Sequence, residues 1–69
     1  MRIETKLQKP QYEIFEQLPN GAVLRAVVPG LFETQRVLFE LGEKTNNECY
    51  AMYPQTQEIV ARVNPSYVR

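Results

Sequence analysis

The chain has 69 residues, eight of them basic and eight acidic, with one cysteine and no histidine. So short a chain forms one domain (residues 1–69) whose core is marginal, since it hides only about 60% of its unfolded surface. A lone thiol excludes an internal disulfide, the lack of histidine argues against a metal site, and zero net charge argues against a dedicated duplex-DNA binder, which leaves self-association as the ordinary staple of a small fold.

Met1, Ile3, Thr5 and Leu7 alternate with Arg2, Glu4 and Lys6, a period-two strand pattern that breaks at Lys9-Pro10-Gln11. Residues 1–11 are therefore an extra N-terminal strand, at the sheet edge or donated to another copy, or else a terminal tail.

Tyr12 to Gln17 and Ala22 to Val28 flank Leu18-Pro19-Asn20-Gly21 and read as a hairpin. Pro19 suits the second position of a type I turn, and Gly21 suits the left-handed residue of a following bulge. This register pairs Leu18 with Ala22, Glu16 with Leu24, Ile14 with Ala26 and Tyr12 with Val28. One face then carries Tyr12, Ile14, Leu18, Leu24, Ala26 and Val28, and the other Glu13, Phe15, Gln17, Val23, Arg25 and Val27. A two-residue Asn20-Gly21 turn would pair Pro19 with Ala22 and mix Glu16 and Arg25 among the apolar residues. The bulged register gives the cleaner core face and is preferred.

Pro29-Gly30 ends the hairpin and opens a helix from Leu31 to Lys44. Leu31, Thr34, Leu38 and Leu41 form its apolar stripe, while Glu33, Arg36, Glu40 and Lys44 lie opposite. Its start is poorly capped, and Asn46 or Asn47 is the expected left-handed stop. Phe32 and Phe39 fall seven residues apart on one flank. They are expected to wrap over the sheet edge beside Tyr12 or Tyr53; the alternative is an external ridge for a partner helix or a second copy.

Glu48 to Tyr53 and Glu58 to Val63 form a second hairpin around Pro54-Gln55-Thr56-Gln57. With Gln57 in the part of Gly21, Tyr53 pairs with Ile59, Ala51 with Ala61 and Cys49 with Val63, leaving Tyr50, Met52, Val60 and Arg62 on the opposite face. Asn64-Pro65 stops the strand, and the C-terminal residues 65–69 are expected to be a tail. A helix of ~14 residues is about 21 Å long and matches strands of about 20 Å. The expected fold is α+β: a two-layer ββαββ domain over residues 12–64, with antiparallel hairpins forming a sheet covered on one face by one helix.

Tyr12-Glu13-Ile14-Phe15 with the Pro-Asn-Gly turn, Asn47-Glu48-Cys49-Tyr50-Ala51-Met52, and Glu58-Ile59-Val60-Ala61-Arg62-Val63-Asn64 resemble small bacterial proteins of similar length that show a hairpin–helix–hairpin pattern. The resemblance implies the fold and a bacterial, cytoplasmic setting, and it assigns no activity and no site residues.

The sheet face away from the helix is the candidate interface, with Phe15, Val23, Arg25, Val27, Tyr50, Met52, Val60 and Arg62 upon it. In the preferred registers Phe15 lies opposite Arg25 and Tyr50 opposite Arg62, a cross-strand cation–π arrangement. Two copies burying this face would make a homodimer. The alternative is a platform for single-stranded nucleic acid, with bases stacked on Phe15 and Tyr50 and phosphates held by Arg25 and Arg62. Cys49 reads as a small buried apolar side chain. Catalysis is not expected: there is no histidine or aspartate, the one serine is Ser66, and the three glycines are too scattered for a phosphate-binding loop. No cofactor is implied, and no apolar run approaches the ~20 residues of a membrane span. Met1-Arg2-Ile3-Glu4 lacks the apolar core of a signal peptide, so a cytoplasmic protein is expected. The sequence reads as a non-catalytic interaction or regulatory module that self-associates and has room for a further protein partner.

Overall fold

The computed structural model describes residues 10–65. The reading of residues 1–11 as a strand or tail lies outside the described residues except at Pro10 and Gln11, the latter opening the first strand, and the reading of residues 65–69 as a tail lies outside them except at Pro65. Among the described residues, four strands and one helix follow in the order β1 (Gln11–Leu18), β2 (Gly21–Pro29), α1 (Leu31–Lys44), β3 (Cys49–Tyr53) and β4 (Glu58–Val63). All neighbouring strands are antiparallel and lie side by side as β2-β1-β3-β4, so the hairpins join through their first strands. The ββαββ reading and the helix bounds hold.

The core is small. Ile14, Val28, Leu38, Cys49 and Ala51 are buried, with Ala26, Val37, Leu41, Ala61 and Val63 packed around them. Thr34 is fully buried in α1, where its hydroxyl donates to the Gly30 carbonyl at 2.7 Å and so ties the first turn that no side chain caps. Gly30 sits at φ 79°, a value that favours glycine, and its N–H donates to the Pro10 carbonyl at 2.8 Å.

The helix ends differently from the expected asparagine stop. Thr45 leaves α1 in an extended conformation, and the asparagine with positive φ is Asn64, at 52°. From the end of β4 its Nδ2 donates to the carbonyls of Gly42 (3.0 Å), Thr45 (2.9 Å) and Asn47 (3.2 Å). A strand terminus thus supplies donors to carbonyls that the helix end leaves unpaired. Phe32 and Phe39 do not close the core: they are 80% and 63% exposed. At about 100° per residue each lies more than a quarter turn from Leu38, beyond reach of the sheet.

The first hairpin departs from the expected register over half its length. Ile14 faces Ala26 and Tyr12 faces Val28, as expected, but the turn is a two-residue Pro19-Asn20 link that pairs Leu18 with Gly21, Gln17 with Ala22, Glu16 with Val23 and Phe15 with Leu24. Gly21 does take a positive φ of 138°, yet the bulge lies further along, at Arg25. Leu24, expected in the core, is 49% exposed on the outer face. The physical reason is the charge on Glu16, which lies on the helix side. In the observed register Arg25 reaches that carboxylate, its Nε donating at 2.9 Å. The expected register would have put them on opposite faces and left a carboxylate at the core margin without its cation, a costly arrangement.

The second hairpin repeats the device. Ala51 pairs with Ala61 and Cys49 with Val63, as expected; Tyr53 pairs with Glu58 rather than Ile59, and Met52 takes Ile59, leaving Val60 as the extra residue. Gln57 does adopt the left-handed conformation, at φ 62°, with its N–H donating to the Tyr53 carbonyl at 2.7 Å.

Candidate functional site

Residues paired across a ladder share a face. The outer face, away from α1, is therefore built from Glu13 and Phe15 of β1, Leu24 and Val27 of β2, Tyr50 and Met52 of β3, and Ile59 and Arg62 of β4. At its centre the Phe15 and Tyr50 rings stack with centroids 5.5 Å apart and planes 26° from parallel. Offset stacking of this kind is worth about 0.5–1.5 kcal/mol beyond area burial. Leu24 faces Phe15 from the neighbouring strand, and Val27 lies nearby, 50% exposed.

Of the eight residues assigned to this face from sequence, Phe15, Val27, Tyr50, Met52 and Arg62 come together upon it. Val23 pairs with Glu16 and so belongs to the helix side, and Arg25 turns to Glu16 rather than standing across from Phe15. Val60 falls in the β4 bulge, outside the paired ladder. Arg62 does lie opposite Tyr50, and its guanidinium reaches Glu48 at 3.1 Å. Leu24 and Ile59 were missed. The signal that could have found Leu24 was Glu16, whose need for a cation selects the register that turns Leu24 outward.

Glu16 anchors the opposite side of the sheet. Asn47 Nδ2 donates to its carboxylate at 2.9 Å and the Thr45 hydroxyl at 2.8 Å. These bonds, Asn47 first, together with the Arg25 hydrogen bond and charge, hold the Glu16 carboxyl below the usual carboxylate range against the opposing effect of burial. Cys49 lies in the core with its thiol directed to the Asn47 carbonyl at 3.6 Å, and burial, with the Glu16 charge beside it, pushes the thiol pKa up. A raised pKa keeps it as the unreactive thiol.

Among the described residues no three His, Cys, Asp or Glu side chains converge as metal ligands, no pocket opens at the surface, and no helix is long and apolar enough to cross a membrane. What the outer face offers chemically is flat apolar contact, two stacked rings, and a paired arginine at one margin. No protein family matches the chain, and no curated protein or solved structure shows significant similarity to it.

Proposed function

We propose that the protein is a small non-catalytic interaction module that self-associates through the outer side of its sheet. One observation carries the reading: α1 lies along one side only, and the other presents the Phe15–Tyr50 stack with Leu24, Val27 and Ile59 exposed around it. Contiguous apolar surface on a small domain marks an interaction site, and a flat face suits a macromolecule better than a small substrate, which binds in a concave site. A second copy is the occupant that also answers the marginal core, because an isologous pair buries both faces at once.

Four strands about 4.8 Å apart and about 20 Å long give a face of roughly 400 Å² in projection, so the dimer belongs to the small, transient interface class. The lone buried thiol suits a reducing, cytoplasmic compartment, and the bacterial setting rests on the resemblance of the turn and strand motifs.

The nucleic-acid alternative has less support. Its two phosphate ligands would be Arg25 and Arg62, and these are turned to Glu16 and Glu48. The experiment is an amide-shift map recorded by NMR over a concentration series and then with a single-stranded oligonucleotide. Concentration-dependent shifts at Phe15, Leu24, Val27 and Tyr50, unaffected by the oligonucleotide, support the dimer. Shifts on that face only with the oligonucleotide would replace it with the nucleic-acid reading.

A further inference from the structure

The outer face holds a carboxylate without a cation. Glu13 stands near its centre, half-buried, opposite Val27 of β2 on one side and Met52 of β3 on the other. It makes no hydrogen bond or ion pair among the described residues, whereas Glu16 and Glu48 hold Arg25 and Arg62. A carboxylate covered by an apolar partner without a cation is costly. Whatever covers this face therefore has to bring a positive charge to Glu13.

The face itself carries a suitable cation. Arg62 is exposed on β4 and pairs with Tyr50, which pairs with Phe15. It thus lies two strands and one pairing step from Glu13, about 10 Å across the strands and about 7 Å along them. Within one chain the two do not meet. Tyr50 and Met52 stand between them, and Glu48, beyond Tyr50 from Met52, draws the guanidinium the other way. That contact engages a single N–H, at 3.1 Å, so further donors of the planar fork are free to bond a second carboxylate.

We infer that in the self-association proposed above, on which this inference rests, Glu13 of each copy pairs with Arg62 of the other. A two-fold axis in the plane of the face, crossing β3 between Tyr50 and Met52 at about 35° to the strands, exchanges the two positions. The same rotation lays Phe15 of each copy over Tyr50 of the other and sets Met52 beside Ile59. The two sheets then cross at about 70°, nearer the orthogonal than the aligned class of sheet packing. Symmetry forms both ion pairs at once, so the charge that would oppose burial of the face instead fixes its geometry. A nucleic acid would set phosphates against Glu13.

Sedimentation equilibrium of the full chain beside Glu13→Arg, Arg62→Glu and the double variant tests this. Each single reversal brings like charges together twice per dimer and is expected to weaken association about tenfold or more. The double variant restores opposite charges with the parent's net charge, and is expected to recover most of the parent's affinity. Glu13→Gln keeps the side chain's shape and decides the matter if a reversed variant loses the parent's circular dichroism. It is expected to weaken the dimer; tighter association would mean that Glu13 enters the interface without a cation, and would overturn the inference. Single reversals that associate as tightly as the parent, or a double variant no tighter than the singles, also overturn it while leaving the dimer standing. A parent chain that stays monomeric up to about millimolar concentration overturns both readings, in favour of a different occupant of the face.

Discussion

Glu16 accepts hydrogen bonds from side chains that lie 9, 29 and 31 residues away, and it gathers β2, the end of α1 and the loop before β3 around one carboxylate. Those bonds favour the ionised form, so its native pKa is depressed. An unfolded glutamate titrates near ~4.3. The stabilisation is therefore complete above that value and is lost as pH falls through the lower native pKa. Glu16→Gln is expected to lower the thermal midpoint at neutral pH and to differ less and less from the parent protein as pH falls through the depressed native pKa of Glu16, below which both side chains are uncharged. A gap that stays constant across that range would show that the charge has no part in it. The same residue explains what was hard to read in the first hairpin. A carboxylate on the core side looked like a defect in the apolar pattern, whereas Arg25, Thr45 and Asn47 make it a fixed point of the register. A period-two pattern records which residues are apolar but not which distant donors will reach a polar one.

The helix bounds were legible because two signals agreed: a 3.6-residue stripe through Thr34, Leu38 and Leu41, and punctuation by Pro29-Gly30. Its termination was not, because the residue bonding its last carbonyls is Asn64, distant in sequence and next to it in space. Leu38 is almost wholly buried, so Leu38→Ala should cost about 2–5 kcal/mol. A chain of this length has only about 3–10 kcal/mol in total. Urea denaturation is expected to find the variant largely unfolded or with its midpoint far below the parent's. Gly42→Ala tests the packing of α1 on β4. Alanine gains up to about 1 kcal/mol in helix propensity, but its Cβ would fall 2.6 Å from Val63 Cγ2 and 3.2 Å from Val63 Cβ. Overpacking of that order costs about 1–3 kcal/mol, so the variant should be the less stable. A more stable variant would mean that β4 yields easily at Val63.

Among the described residues, the two bulged residues, Arg25 and Val60, both fall on the outermost strands, β2 and β4. Bulges on outer strands increase the local twist and break the regular ladder, which opposes edge-to-edge pairing with another chain. The central strands β1 and β3 pair without a bulge and carry the Phe15–Tyr50 stack. The architecture thus discourages association through the edge and leaves the face available. The fold class and the outer position of Phe15, Tyr50, Met52 and Arg62 could be read from sequence, because they follow from strand alternation and the central pairings. The places of Val23, Leu24, Arg25 and Val60 could not. Both outermost strands are apolar on nearly consecutive residues, so a slip of one leaves an acceptable pattern on either side.

The central claim is that two copies meet on this face, and sedimentation equilibrium of the parent chain beside Phe15→Glu tests it most directly. Phe15 is half-buried on the sheet surface and outside the helix-side core, so the variant should retain the parent's circular dichroism. The parent is expected to sediment as a dimer that dissociates on dilution through about the micromolar range, and the variant as a monomer throughout. A parent chain that is monomeric up to about millimolar concentration, or a folded variant that dimerises as well as the parent, would contradict the account.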